Sequence, residues 1–165
     1  MPQPIPFIRK LEPYDLPSCE TILSSLPDWF GIEAANRAYM ESLEHLPAVV
    51  ATLDNDIVGF LALAEHNPQS YEIHVMAVSE TRHRQGVGRA LVHWAESFCQ
   101  EAGIDWLHVK TLGPSTPDPG YGRTRQFYLA MGFTPLFESL TLWGAENAAL
   151  ILVKHLAYSP VHPQT

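Results

Sequence analysis

Cysteine is scarce in this chain. Cys19 and Cys99 stand far apart with no CxxC spacing, which argues against a disulfide scaffold and a cysteine-rich zinc site and makes a reducing cytoplasm the expected compartment. Long apolar runs are missing as well. No stretch reaches the roughly 20 residues that cross a bilayer, and Met1 to Lys10 lacks the apolar core of a secretory signal, so no membrane association is expected. Basic residues are few: 10 Lys and Arg face 18 Asp and Glu, a formal charge of −8. That balance repels phosphate backbones, so no nucleic-acid partner is expected, whereas a cationic amine is tolerated. Repeats, low-complexity tracts and like-charge blocks are absent too. What remains is 165 residues, 46% hydrophobic and 17% charged, enough for a real core and the length of one ordinary domain, 1–165.

The hydrophobic period marks the elements. Phe7 to Leu11 reads as a strand closed by Pro13. Asp15 suits a helix N-cap with Pro17 in the first turn, and Pro27 stops that helix. A second helix is expected from about Ile32 to His45. Ala48 to Leu53 and Ile57 to Ala64, joined by Asp54-Asn55-Asp56, read as an antiparallel hairpin. Tyr71 to Val78 is the next strand. Strict alternation would put Ile73, Val75 and Ala77 on one face and Glu72, His74 and Met76 on the other. A helix from Gly86 to Ala102 carries a stripe of Val87, Leu91, Trp94 and Phe98, with Gly103 as its stop. A strand, Asp105 to Thr111, a Pro/Gly-rich segment, a helix near Arg123 to Met131 and two strands, Phe133 to Trp143 and Ala149 to His155, complete the order β-αα-βββ-α-β-α-ββ. The class is α/β, a mixed sheet with helices on its faces.

The sharpest local signal is Arg82-His83-Arg84-Gln85-Gly86-Val87-Gly88-Arg89, between a strand and a helix. Glycines at a helix start let backbone N–H groups approach an anion, and the helix dipole adds to the attraction. Three arginines sit in the same stretch of an otherwise acidic chain. A phosphate-bearing ligand follows. No GxxxxGK[ST] sequence exists, and a dinucleotide fingerprint fails because Leu91 stands where a third small residue is needed and no βαβ series surrounds it.

Met76-Ala77-Val78, a short connection, and the Arg/Gln-rich Gly86-x-Gly88 turn leading into an amphipathic helix resemble motif A of the GNAT superfamily of acyl-CoA-dependent N-acetyltransferases. Thr124-Arg125-Gln126-Phe127-Tyr128-Leu129-Ala130-Met131-Gly132-Phe133 resembles its motif B, and the order of elements along nearly the whole chain matches. One position departs: His83 stands where the family pattern has Gln or Arg, a role that Arg84 or Gln85 can take over.

The resemblance implies a GNAT-like fold, whose mixed, mostly antiparallel sheet is splayed between the fourth and fifth strands with helices on both faces. It implies acetyl-CoA (coenzyme A) as cosubstrate. The pyrophosphate would lie on the amides around His83, Arg84, Gln85, Gly86, Val87, Gly88 and Arg89. The pantetheine arm would lie along Met76, Ala77 and Val78, and Arg123 or Thr124 would touch the cofactor at the start of motif B. An amide near Met76 or Val78 would stabilise the oxyanion. The implied reaction is transfer of an acetyl group to a primary amine, of a small molecule or a peptide, by direct attack in a ternary complex. Glu72, through a water, is the first choice for the base and His74 the second. Tyr128 is the candidate acid at the thiolate. Trp29 and Phe30 fall where the family builds its acceptor wall.

Some residues read otherwise. The eight histidines show no HExxH or paired ligand spacing, so no metal site is expected. The cysteines lie on or beside apolar stripes and read as core. The segment from Gly113 to Gly122 is either a lid or a rigid cover. The C-terminal strands around Leu136 to Val153 are apolar enough to pair, which leaves a homodimer open. The competing reading is a non-catalytic acyl-CoA-binding module, which would need neither the strand glutamate nor the motif B tyrosine.

Overall fold

The computed structural model describes residues 2–156. Seven strands form one sheet in the order β1-β2-β3-β4-β5-β7-β6: β1 Phe7–Lys10, β2 Ala48–Leu53, β3 Asp56–Asn67, β4 Ser70–Val78, β5 Trp106–Leu112, β6 Thr134–Ser139 and β7 Ala149–His155. All neighbours are antiparallel except β4 and β5. The helices are α1 Leu16–Ser24, α2 Glu33–Ser42, α3 Val87–Glu101 and α4 Pro119–Ala130, with single 3-10 turns at Pro13–Asp15 and Glu80–Arg82. Among the described residues no helix is long and apolar enough to cross a membrane.

Two cores sandwich the sheet. On one side Leu61, Leu63 and Leu107 pack against Leu91, Val92, Ala95 and Cys99 of α3 and Tyr128 of α4. On the other, Val50, Phe60 and Ala62 pack against Cys19, Ile22 and Leu23 of α1, with Tyr39 and Met40 of α2 at the margin. Trp94 and Phe98, expected in the stripe of α3, are half-buried at its edge, because Val92, Ala95 and Cys99 lie on the side of the helix facing the sheet. The helix ends as the sequence implies: the Gly103 and Ile104 amides donate to the Gln100 and Cys99 carbonyls.

Three expectations are corrected. Asp15 stands at the start of α1 but does not cap it with its side chain. Its carboxylate instead takes two hydrogen bonds from Arg9 (2.7 and 2.8 Å) and one from the Glu12 amide (2.8 Å), clasping β1 to α1. Helix α4 begins four residues before Arg123, since the Asp118 side chain accepts from the Tyr121 amide and Pro119 fills the first turn. What remains of the proline-rich segment is fastened down. Ser115 donates to Glu138 through its amide (3.0 Å) and its hydroxyl (2.6 Å), and the Thr116 hydroxyl bridges the Glu146 carbonyl and the Ala148 amide.

The third correction concerns β4. Ala62 pairs with Val75, but Leu63 pairs with Ile73, leaving His74 as an extra residue in a β-bulge. Beyond the bulge the alternation inverts. Ile73 therefore joins the α3 core, while Val75 and Ala77 join the α1 core, and Glu72 shares the face of Val75 rather than that of Met76. A bulge of this kind leaves no mark in the hydrophobic pattern.

Candidate active site

Strands β4 and β5 pair over three rows only, Ser70 with Trp106, Tyr71 with Leu107 and Glu72 with His108. From Ile73 to Val78 the β5 side of β4 has no strand partner, and its main-chain groups border a cleft of about 920 Å³. That size falls in the range of roughly 300–1,000 Å³ usual for small-molecule sites.

One end of the cleft is built for anions. Gly86 caps α3 with φ +81° and no side chain to offer, so the first-turn amides of Val87, Gly88 and Arg89 have no capping acceptor. Arg84, two residues earlier, is also left-handed at φ +62°, a conformation that costs a residue with a Cβ about 1–2 kcal/mol. Gly88 answers to packing: a Cβ there would come within 3.2 Å of the Phe127 ring, so α4 can lie against the start of α3. Arg82, Arg84, Arg89 and Arg123 all line the cleft, four of the chain's ten basic residues. None is ion-paired among the described residues.

Other residues expected at this end are arranged differently. Gln85 does not line the cleft; its side chain donates to the Thr81 carbonyl (3.3 Å). The His83 ring reaches back to β4 and donates from Nε2 to the Val78 carbonyl (2.9 Å). Here, then, the imidazole ties the loop to the strand. Trp29 packs edge-on against that ring at 5.9 Å and donates from Nε1 to Thr124 Oγ1 (3.3 Å), while the Tyr121 hydroxyl donates to the Trp29 carbonyl (2.9 Å). Trp29 thus spans from the glycine loop to α4 across the cleft. Phe30 stacks edge-on against Tyr39 at 5.9 Å.

The other end is polar. Glu72 is only 6% exposed, and cationic or imidazole groups surround its carboxylate. Lys110 Nζ donates to Oε2 (2.5 Å), His108 Nε2 and His66 Nε2 lie 3.4 and 3.5 Å from the same oxygen, and His74 Nδ1 is 3.7 Å from Oε1. Burial pushes the Glu72 carboxyl up. The imidazoles of His108 and His74 beside it, with the hydrogen bond and charge of Lys110, outweigh that and hold it well below the usual carboxylate range. Tyr39 packs edge-on against His74 at 5.5 Å, and its phenol is pushed up by burial and then by the Glu72 charge. Tyr128 lines the cleft at 4% exposure between Phe127 and Phe133, with ring centroids 5.1 and 5.4 Å away. Burial pushes its phenol far above the ordinary tyrosine value, so it stays protonated. Cys19 and Cys99 are buried thiols, raised by desolvation to about 12 and about 11, and lie outside the cleft lining.

Sequence reasoning did not assign roles to His66, His108, Lys110, Tyr39 or Tyr121. One signal was available for two of them: His108 and Lys110 alternate with apolar Leu107 and Val109 in an otherwise buried strand, which points both toward the same face as Glu72.

The acetyltransferase (GNAT) domain family matches residues 44–135, more than half of the chain. The chain belongs to the GNAT acetyltransferase family. An uncharacterized N-acetyltransferase of Chlorobaculum tepidum is 32% identical over 77 residues, 46% of this chain and 50% of that protein, so the match spans about half the length of the relative. Among solved structures, a GNAT-family protein from Desulfovibrio desulfuricans superposes with a TM-score of 0.80 at 21% identity, over 93% of this chain and all of that one. An aminoglycoside 6'-N-acetyltransferase complexed with coenzyme A superposes with a TM-score of 0.75 at 16% identity, over 93% and 99%. At these identities the likeness is one of fold. Acetyl-CoA is the cosubstrate of the GNAT family, and the uncapped amides, the arginines and the unpaired flank of β4 fit it: donors for phosphate oxygens at one end, open main-chain groups for an amide-bearing arm along the middle.

Proposed function

We propose that the protein transfers an acetyl group from acetyl-CoA to the primary amine of a small molecule or peptide, by direct attack while both are bound. One observation carries the proposal. The gap between β4 and β5 joins, in a single cleft, an anion-binding helix start, an unpaired strand flank, a buried phenol and a carboxylate–imidazole pair. Acetyl-CoA supplies the activated acyl group and the thiolate leaving group. The amides of Val87 and Gly88, with Arg84, Arg89 and Arg123, hold its phosphates, and the main chain of Met76 and Val78 holds its arm and polarises the carbonyl.

On the acceptor side Glu72 remains ionised and is too weak a base to keep a proton at neutral pH, so the order of preference is reversed. His74, 31% exposed on its side chain and beside Glu72 Oε1, takes the amine's proton directly or through a water, and Glu72 orients and balances the imidazolium. Tyr128 gives its proton to the departing sulfur. Phe30 and Tyr39 wall the acceptor side. The negative carboxylate and the chain's charge of −8 favour acceptors that arrive as ammonium ions.

The test is thiol release from acetyl-CoA across a panel of primary amines and peptides, with wild type, His74→Ala and Tyr128→Phe. Amine-dependent release is expected, with kcat at least tenfold lower in each variant and acetyl-CoA affinity within twofold of wild type. Coenzyme A binding without release on any amine would replace this reading with that of a non-catalytic acyl-CoA-binding module. Equal turnover in all three proteins would remove both side chains from the chemistry.

A further inference from the structure

We propose that His66, Glu72 and His108 form a binding site for a zinc-class divalent transition-metal ion. The three residues come from three adjacent strands. Glu72 and His108 face each other in the last paired row of β4 and β5. His66 is an extra residue in β3, since Glu65 pairs with Tyr71 and Asn67 with Ser70, and it lies two residues past Ala64, the partner of Glu72, with its side chain on the Glu72 face. Spacing in the sequence could not reveal such a set, because no two of its members lie on one element.

The donor geometry is that of a metal site. The ligand atoms all lie within 4.8 Å of one another, with both Nε2 atoms near the same Glu72 oxygen, at 3.4 and 3.5 Å. A tetrahedral ion with bonds of about 2.0–2.1 Å holds its ligand atoms roughly 3.3–3.4 Å apart. Two imidazoles and one carboxylate are a set that zinc accepts with a position left for water. His108 is also oriented from behind: its Nδ1 lies 3.1 Å from the Ser70 hydroxyl, which can accept the Nδ1 proton and leave the Nε2 lone pair to the ion.

Lys110 is the competitor. Its ammonium occupies Oε2 at 2.5 Å, so an ion must displace one cation from the oxygen it binds. Metal occupancy would also draw Glu72 away from His74 and oppose amine activation. That consequence rests on the reaction proposed above; the site itself does not.

Calorimetric titration of the full chain with Zn2+ decides the matter, on wild type, His66→Ala, His108→Ala and Lys110→Met. One ion per chain is expected, bound at least tenfold more weakly in each histidine variant and more tightly in Lys110→Met. No saturable binding up to about 1 mM Zn2+, or binding that survives both histidine substitutions within twofold, overturns the proposal. The side chain of His66 is 44% exposed near the end of its strand, so His66→Ala keeps the test valid even where His108→Ala fails to fold.

Discussion

At the scale of single residues the centre of the molecule is Glu72, a carboxylate kept ionised in a nearly closed environment by Lys110 and the histidines around it. Removing one charge of such a pair leaves the other poorly solvated, a larger loss than removing both. Glu72→Gln should therefore destabilise the protein by about 1–3 kcal/mol, with Lys110 strained rather than merely released. Adding Lys110→Met should recover most of that loss in urea denaturation, whereas independent contributions would make the double variant the less stable one. The residues of this cluster were unequally legible. Tyr128 lies within the motif B stretch, Glu72 is marked by its place six residues before Val78, and His74 by sharing its strand. The partners that fix the ionisation of Glu72, however, include residues of β3 and β5, and no local spacing joins Glu72 to Lys110. His83 shows the limit from the other side. Its place in the loop was readable, while its hydrogen bond to the Val78 carbonyl depends on how the loop folds back on β4.

At the scale of elements, regular periodicity was a good guide and its interruptions were not. The hairpin of β2 and β3, the long helix α3 with its glycine stop, and the whole of β7 follow from pattern and turn chemistry. Asp54 and Asn55 turn that hairpin with φ +52° and +69°, the left-handed pair that a two-residue turn requires. The start of α4 was readable in principle from Asp118-Pro119, a cap followed by a first-turn proline, but the surrounding prolines and glycines masked it. The bulges at His74 and His66 were not readable, because they are set by pairing between strands.

The clasp of β1 on α1 makes an element-scale prediction. The Arg9 hydrogen bonds lower the Asp15 pKa against the opposing effect of burial, with the Glu12 amide and the Arg9 charge adding to them. A carboxyl that ionises more readily folded than unfolded contributes fully above its unfolded value near 3.9. That contribution is lost as pH falls from there through the lower folded value. Asp15→Asn should cost about 1–2 kcal/mol at neutral pH, and the gap from wild type should narrow below about pH 4. Thermal melts across that range give the check; a gap that stays constant would show that the carboxylate's charge plays no part.

At the scale of the whole molecule, the chain is a sheet in which β4 stops pairing with β5 a third of the way along. Rows 70–72 of β4 hold β5 close and everything beyond opens. The residues at the point of divergence, Glu72 and His108, are the ones that carry the polar cluster. The helices α3 and α4 then close the far side of the gap, drawn together where Gly88 admits the Phe127 ring. An acidic chain places four arginines, unpaired among the described residues, around the α3 end of that opening, so the local field at that end opposes the sign of the molecule as a whole, while the Glu72 end does not.

The central claim is that the diphosphate of coenzyme A is held by the free amides at the start of α3. Titration of 15N-labelled protein with coenzyme A reads those amides one by one. The account predicts saturable, strongly downfield amide proton shifts for Val87, Gly88 and Arg89, as phosphate oxygens accept their hydrogen bonds, with smaller changes along Met76 to Val78. Saturation of binding with these three amide resonances unmoved would contradict it.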